Sequence, residues 1–227
     1  MCGRYALKTS VPEIARILGA TPMAGFAPSY NVAPSRHVPV CRDPAGGGRE
    51  IALLRWGLVP HWAKTADDRY RMINARAETV ASKPAFRTPF RKRRCLVPAD
   101  GYYEWKAAAR RKQPYFIHRH DRAPVFFAGL WDRWDSGRDD PLDSFAIVTT
   151  SASEHVARVH DRMPVLIEPR DHDTWLDPDI DDPERLLALL EPHPGKHLLL
   201  TPVSPYVNNP RNDDPRCIEP LSGPGGG

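Results

Sequence analysis

Proline sets the tightest limit on this fold: 25 of the 227 residues are proline, about twice the ordinary usage of ~5%. Each one lacks a backbone N–H and fixes φ at about −65°, so it interrupts helix interiors and central strands alike. Long helices are thereby disfavoured, and many short elements joined by stiff turns are expected. In "VPEIARILGA", Ser10 and Glu13 make a capping box, Pro12 falls in the first turn, and Ile14, Ile17 and Leu18 form one stripe, which predicts a short helix. "HVPVCR" and "EIALLRW" flank the glycine-rich "DPAGGGR" as a hairpin. "RCLVPA", "QPYFIHR", "PVFFAGLW" and "FAIVTT" read as strands, and "SEHVARVH" and "DPERLLALL" as short helices capped by Ser153 and Asp182. The pattern is α+β, dominated by antiparallel strands and free of internal repeats.

No composition break divides the chain, so one domain over residues 1–220 is expected, with "LSGPGGG" as a disordered Gly-rich tail over 221–227. Apolar content of 41% and charged content of 26% describe a soluble globular protein, and no window approaches the run of about 18 apolar residues that a membrane span needs. No secretory signal opens the chain, which predicts a cytoplasmic protein. Cys2, Cys41, Cys95 and Cys217 lie far apart without a C-x-x-C pair, which argues against a zinc site or a disulfide framework. The positive charge is clumped: "FRTPFRKRRC" carries Arg87, Arg91, Lys92, Arg93 and Arg94, and "ARRK" follows at 109–112, which suggests a polyanionic partner.

Nucleophile elbows, phosphate loops, dinucleotide fingerprints and H-E-x-x-H are all missing. "HRH" at 118–120 lacks a third metal partner, and "DPDIDDPE" lacks the glycine and terminal glutamate of a calcium loop. No cofactor is expected. The opening "MCGRYAL" is more informative, because loss of Met1 would give Cys2 a free α-amine beside its thiol. An α-amine titrates at about 7.7–8.0 and a thiol at about 8.5, so both are partly nucleophilic at neutral pH. Such a pair condenses with an aldehyde to an imine and then a thiazolidine. "MINARAET" places Asn74 and Arg76 two apart, so that on a strand they aim the same way. Glu104 precedes Trp105 in "PADGYYEWK", and His160 and Arg162 share "VARVHDRMPV".

"MCGRYAL", "YNVAPS", "LRWGLVPHWAK", "INARAETV", "KPAFR", "RRCLVPADGYYEW", "FAGLW", "FAIVTTSA", "VHDRMPV" and "VNNPRNDDP" occur in the order found in the SOS-response-associated peptidase family, the abasic-site processing proteins, which the chain resembles from residue 1 to about 220. The resemblance implies a mostly antiparallel, bifurcated or barrel-like sheet flanked by short helices, in a protein that acts on single-stranded DNA containing abasic sites. It implies that Cys2 becomes the N-terminal nucleophile and forms a covalent thiazolidine with the ring-opened sugar, with Asn74, Glu104 and His160 as the polar residues around it. Arg4, Arg76, Thr149 and Arg162 match positions that hold DNA or shape the pocket, Trp105 a stacking residue, and Arg87 joins them from the basic run.

On this basis His160 exchanges the proton at the sugar ring oxygen, Glu104 takes protons from the amine and helps expel water, and Asn74 orients the aldehyde oxygen or the thiol. Trp62 is a second candidate for stacking on bases, and Pro39–Val40 a candidate apolar wedge. A monomer associated with damaged nucleoid DNA is expected. Three alternatives remain: an N-terminal-nucleophile cysteine peptidase that mainly removes Met1, a non-catalytic single-stranded DNA binder, and a side activity that cleaves the DNA strand by β-elimination.

Overall fold

Ser10 and Gly19 delimit the first helix as the sequence predicts. The Ser10 side chain accepts from the Glu13 N–H, and Gly19 closes the helix in the left-handed region at φ 60°. This computed structural model describes residues 2–44, 47–66, 72–108, 111–137 and 141–221; Met1 and residues 222–227 of the expected tail lie outside them. In chain order the strands are β1 (Tyr5–Leu7), β2 (Ser29–Val32), β3 (His37–Arg42), β4 (Glu50–Trp56), β5 (Asn74–Arg76) and β6 (Arg94–Ala99). They continue with β7 (Gly101–Lys106), β8 (Gln113–Arg119), β9 (Val125–Trp134), β10 (Leu142–Ser151), β11 (Arg162–Pro164) and β12 (Leu198–Pro202). The helices are short: α1 (Val11–Leu18), α2 (Arg87–Lys92), α3 (Glu154–Ala157), α4 (His172–Leu176) and α5 (Pro183–Leu187).

Five strands close a barrel. The β3–β4 hairpin pairs Val40 with Ala52, β3 pairs antiparallel with β6, β6 with β9 and β9 with β10. A parallel pairing of β10 with β4, at Ser144↔Arg55 and Phe145↔Trp56, completes the ring. β5 and β11 extend the rim by pairing with β10. A second sheet, in the order β12-β8-β7-β1-β2, packs beside it. Its paired residues Tyr5 and Tyr102 reach the barrel, with the Tyr5 ring 5.2 Å from Trp56 and both tyrosine rings edge-on to Phe127. The opposite face of β1 and β7 carries Ala6 and Tyr103 into a smaller core with Phe116, Val203, Val207 and Cys217. The α+β, mostly antiparallel, barrel-like architecture expected from the sequence is therefore the one observed. No described helix is long and apolar enough to cross a membrane.

Two sequence expectations change. Pro39 and Val40 are buried inside β3 and cannot wedge into a duplex. Proline is tolerated there because β3 pairs with β6 only at Cys41 and Arg42, which leaves Pro39 off that ladder. The basic run is also not one binding surface. Arg93 is salt-bridged to the buried Asp132, while Arg94 is 2% exposed and donates to the carbonyls of Phe90, Arg91, Trp175, Asp177 and Ile180. Burial pulls the Arg94 pKa down to about 10, so it stays charged at neutral pH. Only Arg87, Arg91 and Lys92 line a surface hollow, where they share it with Asp181.

Arg94→Ala would strip these carbonyls of a common donor, and a loss on the order of 3 kcal/mol is expected in urea unfolding. A change below about 0.5 kcal/mol would show that water replaces the guanidinium without cost.

Candidate active site around Cys2

Strand pairing gathers residues that are far apart in sequence. β1 places Cys2 just ahead of Tyr5, β7 supplies Glu104, β5 supplies Asn74, and the turn between α3 and β11 supplies His160. Cys2 is fully buried, and its carbonyl accepts from Asn74 Nδ2 at 2.9 Å. The Asn74 Oδ1 atom is buried and has no hydrogen-bond partner among the described residues, so it is an acceptor open to an incoming group. Glu104 Oε2 stands 3.7 Å from His160 Nε2. These two residues line a hollow of about 420 Å³ with Trp105, Lys112 and Asn208.

Burial governs the titration of all three groups. It pushes the Glu104 carboxyl up to about 7, lowers His160 from its ordinary value, and pushes the Cys2 thiol far up, an effect that the Glu104 charge increases. The resting thiol is therefore protonated, unlike the partly ionised thiol that sequence reasoning assumed from ordinary values. His160 Nδ1 accepts the Arg162 backbone N–H at 2.9 Å, which leaves the proton of the neutral ring on Nε2, toward Glu104. The exposed Asp161 carboxylate also lies 2.9 Å from Nδ1, but it is 88% exposed and screened by solvent.

The expected contact residues divide by burial. Arg76 is exposed, follows Asn74 on the same side of β5, and its charge adds to that of Arg162 in holding the Glu78 carboxyl below its ordinary value. Arg162 chelates both Glu78 oxygens, and its Nη2 donates to the Thr149 carbonyl at 2.6 Å. Thr149 itself is fully buried, so it holds Arg162 rather than touching DNA. Arg4 is committed to Asn31 Oδ1 at 2.8 Å and the Val207 carbonyl at 3.2 Å, which makes it a tie between β1, β2 and the 205–208 turn. Trp105 donates to Asn208 Oδ1 at 2.7 Å, and Trp62 is 50% exposed. Arg87 lies in the separate basic hollow and lines none of this one.

Other reactive groups stand apart. Cys41 and Cys95 are buried thiols pushed up by desolvation, and both His118 nitrogens are engaged, with the Arg119 carbonyl and Thr201. No group of three or more potential metal ligands occurs among the described residues. A more apolar cavity of about 200 Å³, between Ile17, Phe126, Leu166 and Leu198, contains none of the residues around Cys2.

The family model described as "SOS response associated peptidase (SRAP)" matches residues 1–210. The chain belongs to this family. It is 39% identical to the abasic site processing protein YoqW of Bacillus subtilis over 224 residues, covering 96% of this chain and 99% of that protein. It is 30% identical to the abasic site processing protein HMCES of Gallus gallus, covering 97% of this chain and 78% of that one. An X-ray structure of a Bacteroides thetaiotaomicron protein superposes with a TM-score of 0.88 at 25% identity, over 97% of this chain and all of the other. Within this SRAP fold, Glu78, Asn208 and the Asp213 anchor are site supports that sequence reasoning did not single out. Asp213 accepts from Ser29, the Tyr30 and Asn31 N–H groups and Arg36, and thereby fixes the "VNNPRNDDP" segment that carries Asn208. The signal was the unusual density of Asn and Asp in that segment.

Because folded Glu104 holds its proton up to about pH 7, against 4.5 ordinarily, folding stability falls as pH rises between those values. Glu104→Gln removes that loss. Relative to wild type, the variant is expected to gain about 3 kcal/mol between pH 4.5 and pH 8, and a pH-independent difference in urea midpoints would contradict a strained carboxylate.

Proposed function

We propose that this protein recognises abasic sites in DNA and captures them covalently through Cys2 once Met1 has been removed, with single-stranded DNA as the substrate. The observation that carries the reading is a cysteine next to the amino terminus, buried beside a carboxyl that titrates at about 7 and a neutral imidazole. Membership of a family whose relatives are named abasic site processing proteins supports the choice of substrate.

The chemistry follows from the electrostatics. Because burial keeps the thiol protonated, the α-amine attacks first. As the hemiacetal opens to the C1′ aldehyde, the C1′ hydroxyl proton passes by way of the Glu104 carboxylate to the ring oxygen, to which His160 Nε2–H hydrogen-bonds. The amine adds to C1′, Glu104 carries first one and then a second proton from nitrogen to the carbinol oxygen, and water leaves as the imine forms. Asn74 Oδ1 accepts from the amine or the carbinol hydroxyl and holds it in line. The sulfur then adds to C1′ as its proton passes by way of Glu104 to nitrogen, which also receives the π pair, and a neutral thiazolidine results. Arg76 and Arg162 border the rim as phosphate contacts, and Trp105 stacks on a base, each stack contributing about 1–3 kcal/mol. A duplex would have to be opened for its sugar to enter this hollow, which favours a single strand.

The decisive experiment incubates the protein with an oligonucleotide carrying one abasic site and maps the product by intact mass and peptide sequencing. A heat-stable adduct on residue 2, with Met1 absent, is expected; Cys2→Ser should give only an imine that borohydride traps. Wild-type capture should rise with pH through about 7 as Glu104 ionises, and Glu104→Gln should slow it by about 100-fold or more. No adduct, with Met1 confirmed absent, would shift the assignment to amide hydrolysis at the Met1–Cys2 bond.

Binding strength should fall with salt at a log–log slope of about −0.7 per phosphate contacted. Arg76→Ala should reduce that slope by close to one contact, measured by fluorescence anisotropy. An unchanged slope would remove Arg76 from the interface.

A further inference from the structure

We infer that Lys112 and Asn208 form a seat for one of the two phosphates that flank the abasic sugar, so that the hollow takes its aldehyde only as part of a DNA strand. The inference rests on the abasic-site reading given above and assigns a part of that substrate which the proton chemistry leaves open. Five residues line the hollow of about 420 Å³: Glu104, Trp105, Lys112, His160 and Asn208. Glu104 and His160 serve the reaction, and Trp105 offers a ring. Burial keeps His160 neutral, so Lys112 is the one fixed positive charge on these walls. Its charge reaches both Glu104 and His160.

Asn208 supplies directional donors. An indole N–H can only donate, so the 2.7 Å contact from Trp105 Nε1 fixes Asn208 Oδ1 against the indole and turns the two Nδ2–H donors to other acceptors. The backbone beneath this amide is pinned. The carbonyls on either side of it, Val207 and Asn209, both accept from the buried Asn31 Nδ2 at 3.1 Å, and Arg4 Nη1 donates to Val207 as well. A separate set of bonds places Lys112. It directly precedes β8, whose first residue, Gln113, pairs with Lys106 of β7 and donates to the Val203 carbonyl at 2.9 Å. Lys112 itself is exposed, which suits a side chain that meets its partner from solvent.

An ammonium beside a pair of amide donors matches a phosphodiester, which presents one charge and two unbridged oxygens. A neutral sugar hydroxyl would need no lysine. The carboxyl of the hollow opposes the anion only in part, because burial holds Glu104 at about 7. Asp161, the other carboxylate acting on Glu104, is 88% exposed and screened by solvent. Topology gives the seat its purpose. Lys112 and Asn208 belong to the open sheet, one preceding β8 and the other following β12, whereas Arg76 and Arg162 lie on β5 and β11 of the barrel. An abasic nucleotide within a strand carries a phosphate on either side of its sugar. The strand therefore crosses the seam between the sheets with one phosphate held from each, and the sugar rests between them at Glu104.

Anisotropy binding to a single strand with tetrahydrofuran in place of the abasic sugar tests the seat. This analogue has no aldehyde, so any effect of Lys112 on Glu104 titration stays out of the readout. Lys112→Ala is expected to weaken binding about fivefold to tenfold and to lower the log–log salt slope by about 0.7, one phosphate, with an unchanged unfolding midpoint. Asn208→Asp keeps the acceptor for Trp105 but removes the donors, and should weaken binding at least as much. A neutral methylphosphonate is then placed at either linkage beside the tetrahydrofuran. At one of them it should weaken wild type to a similar degree yet leave Lys112→Ala within about twofold of its affinity for the unmodified strand. An unchanged slope in Lys112→Ala would overturn the inference, as would neutral linkages that both weaken this variant as much as wild type, or failure of wild type to bind the strand. Absence of an adduct on a true abasic strand, with analogue binding intact, would remove the covalent reading alone and leave the seat standing.

Discussion

The packing of Tyr5 and Tyr102 against Trp56 and Phe127 joins the open sheet to the closed barrel, and the site depends on that seam. β1 and β7 carry Cys2 and Glu104, whereas β5, on the barrel rim, carries Asn74. Without the seam these strands would have no fixed distance between them. Aromatic side chains suit this purpose because each buries a large area in two side-chain torsions and holds edge-to-face partners in few orientations. Within the open sheet, Gly101 lets β7 lie close against β8, since a Cβ there would meet the Ile117 carbonyl oxygen and the Phe116 ring at 2.6 Å.

The same burial that stabilises the seam tunes the site. Desolvation raises Glu104, lowers His160 and raises Cys2, so each group is held nearer its neutral form. A carboxyl of this kind gives and takes protons close to neutral pH, as an imine-forming base must. The position costs folding stability whenever Glu104 is ionised, and the surrounding sheet supplies the compensation. Farther out, the paired charges of Glu78 and Arg162 and the Asp213 anchor fix the rim without adding buried unpaired charge.

Much of the fold was legible because its signals are local. The Ser10 and Asp182 caps hold as read, whereas Ser153 begins α3 without a side-chain cap bond. The alternating runs at 37–42, 50–56 and 94–99 are strands of the barrel. The "GYYEWK" run is strand β7, whose first four residues are buried on both faces and so lack the alternation that marks a strand in sequence. The basic run misled for a related reason. Charge in sequence carries no information on burial, and Arg94 is sequestered by five carbonyls while Arg87 faces another hollow.

The sequence by itself determined the short-element α+β character, through its prolines and caps, and the family, through blocks spread from Cys2 to the "VNNPRNDDP" segment. Cys2, Asn74, Glu104 and His160 could be named from those blocks. Only the tertiary structure decided that they meet, and that Thr149 and Arg4 are committed to internal bonds. The physical reason is that strand register and burial are set by contacts between residues distant in the chain, and protonation follows burial.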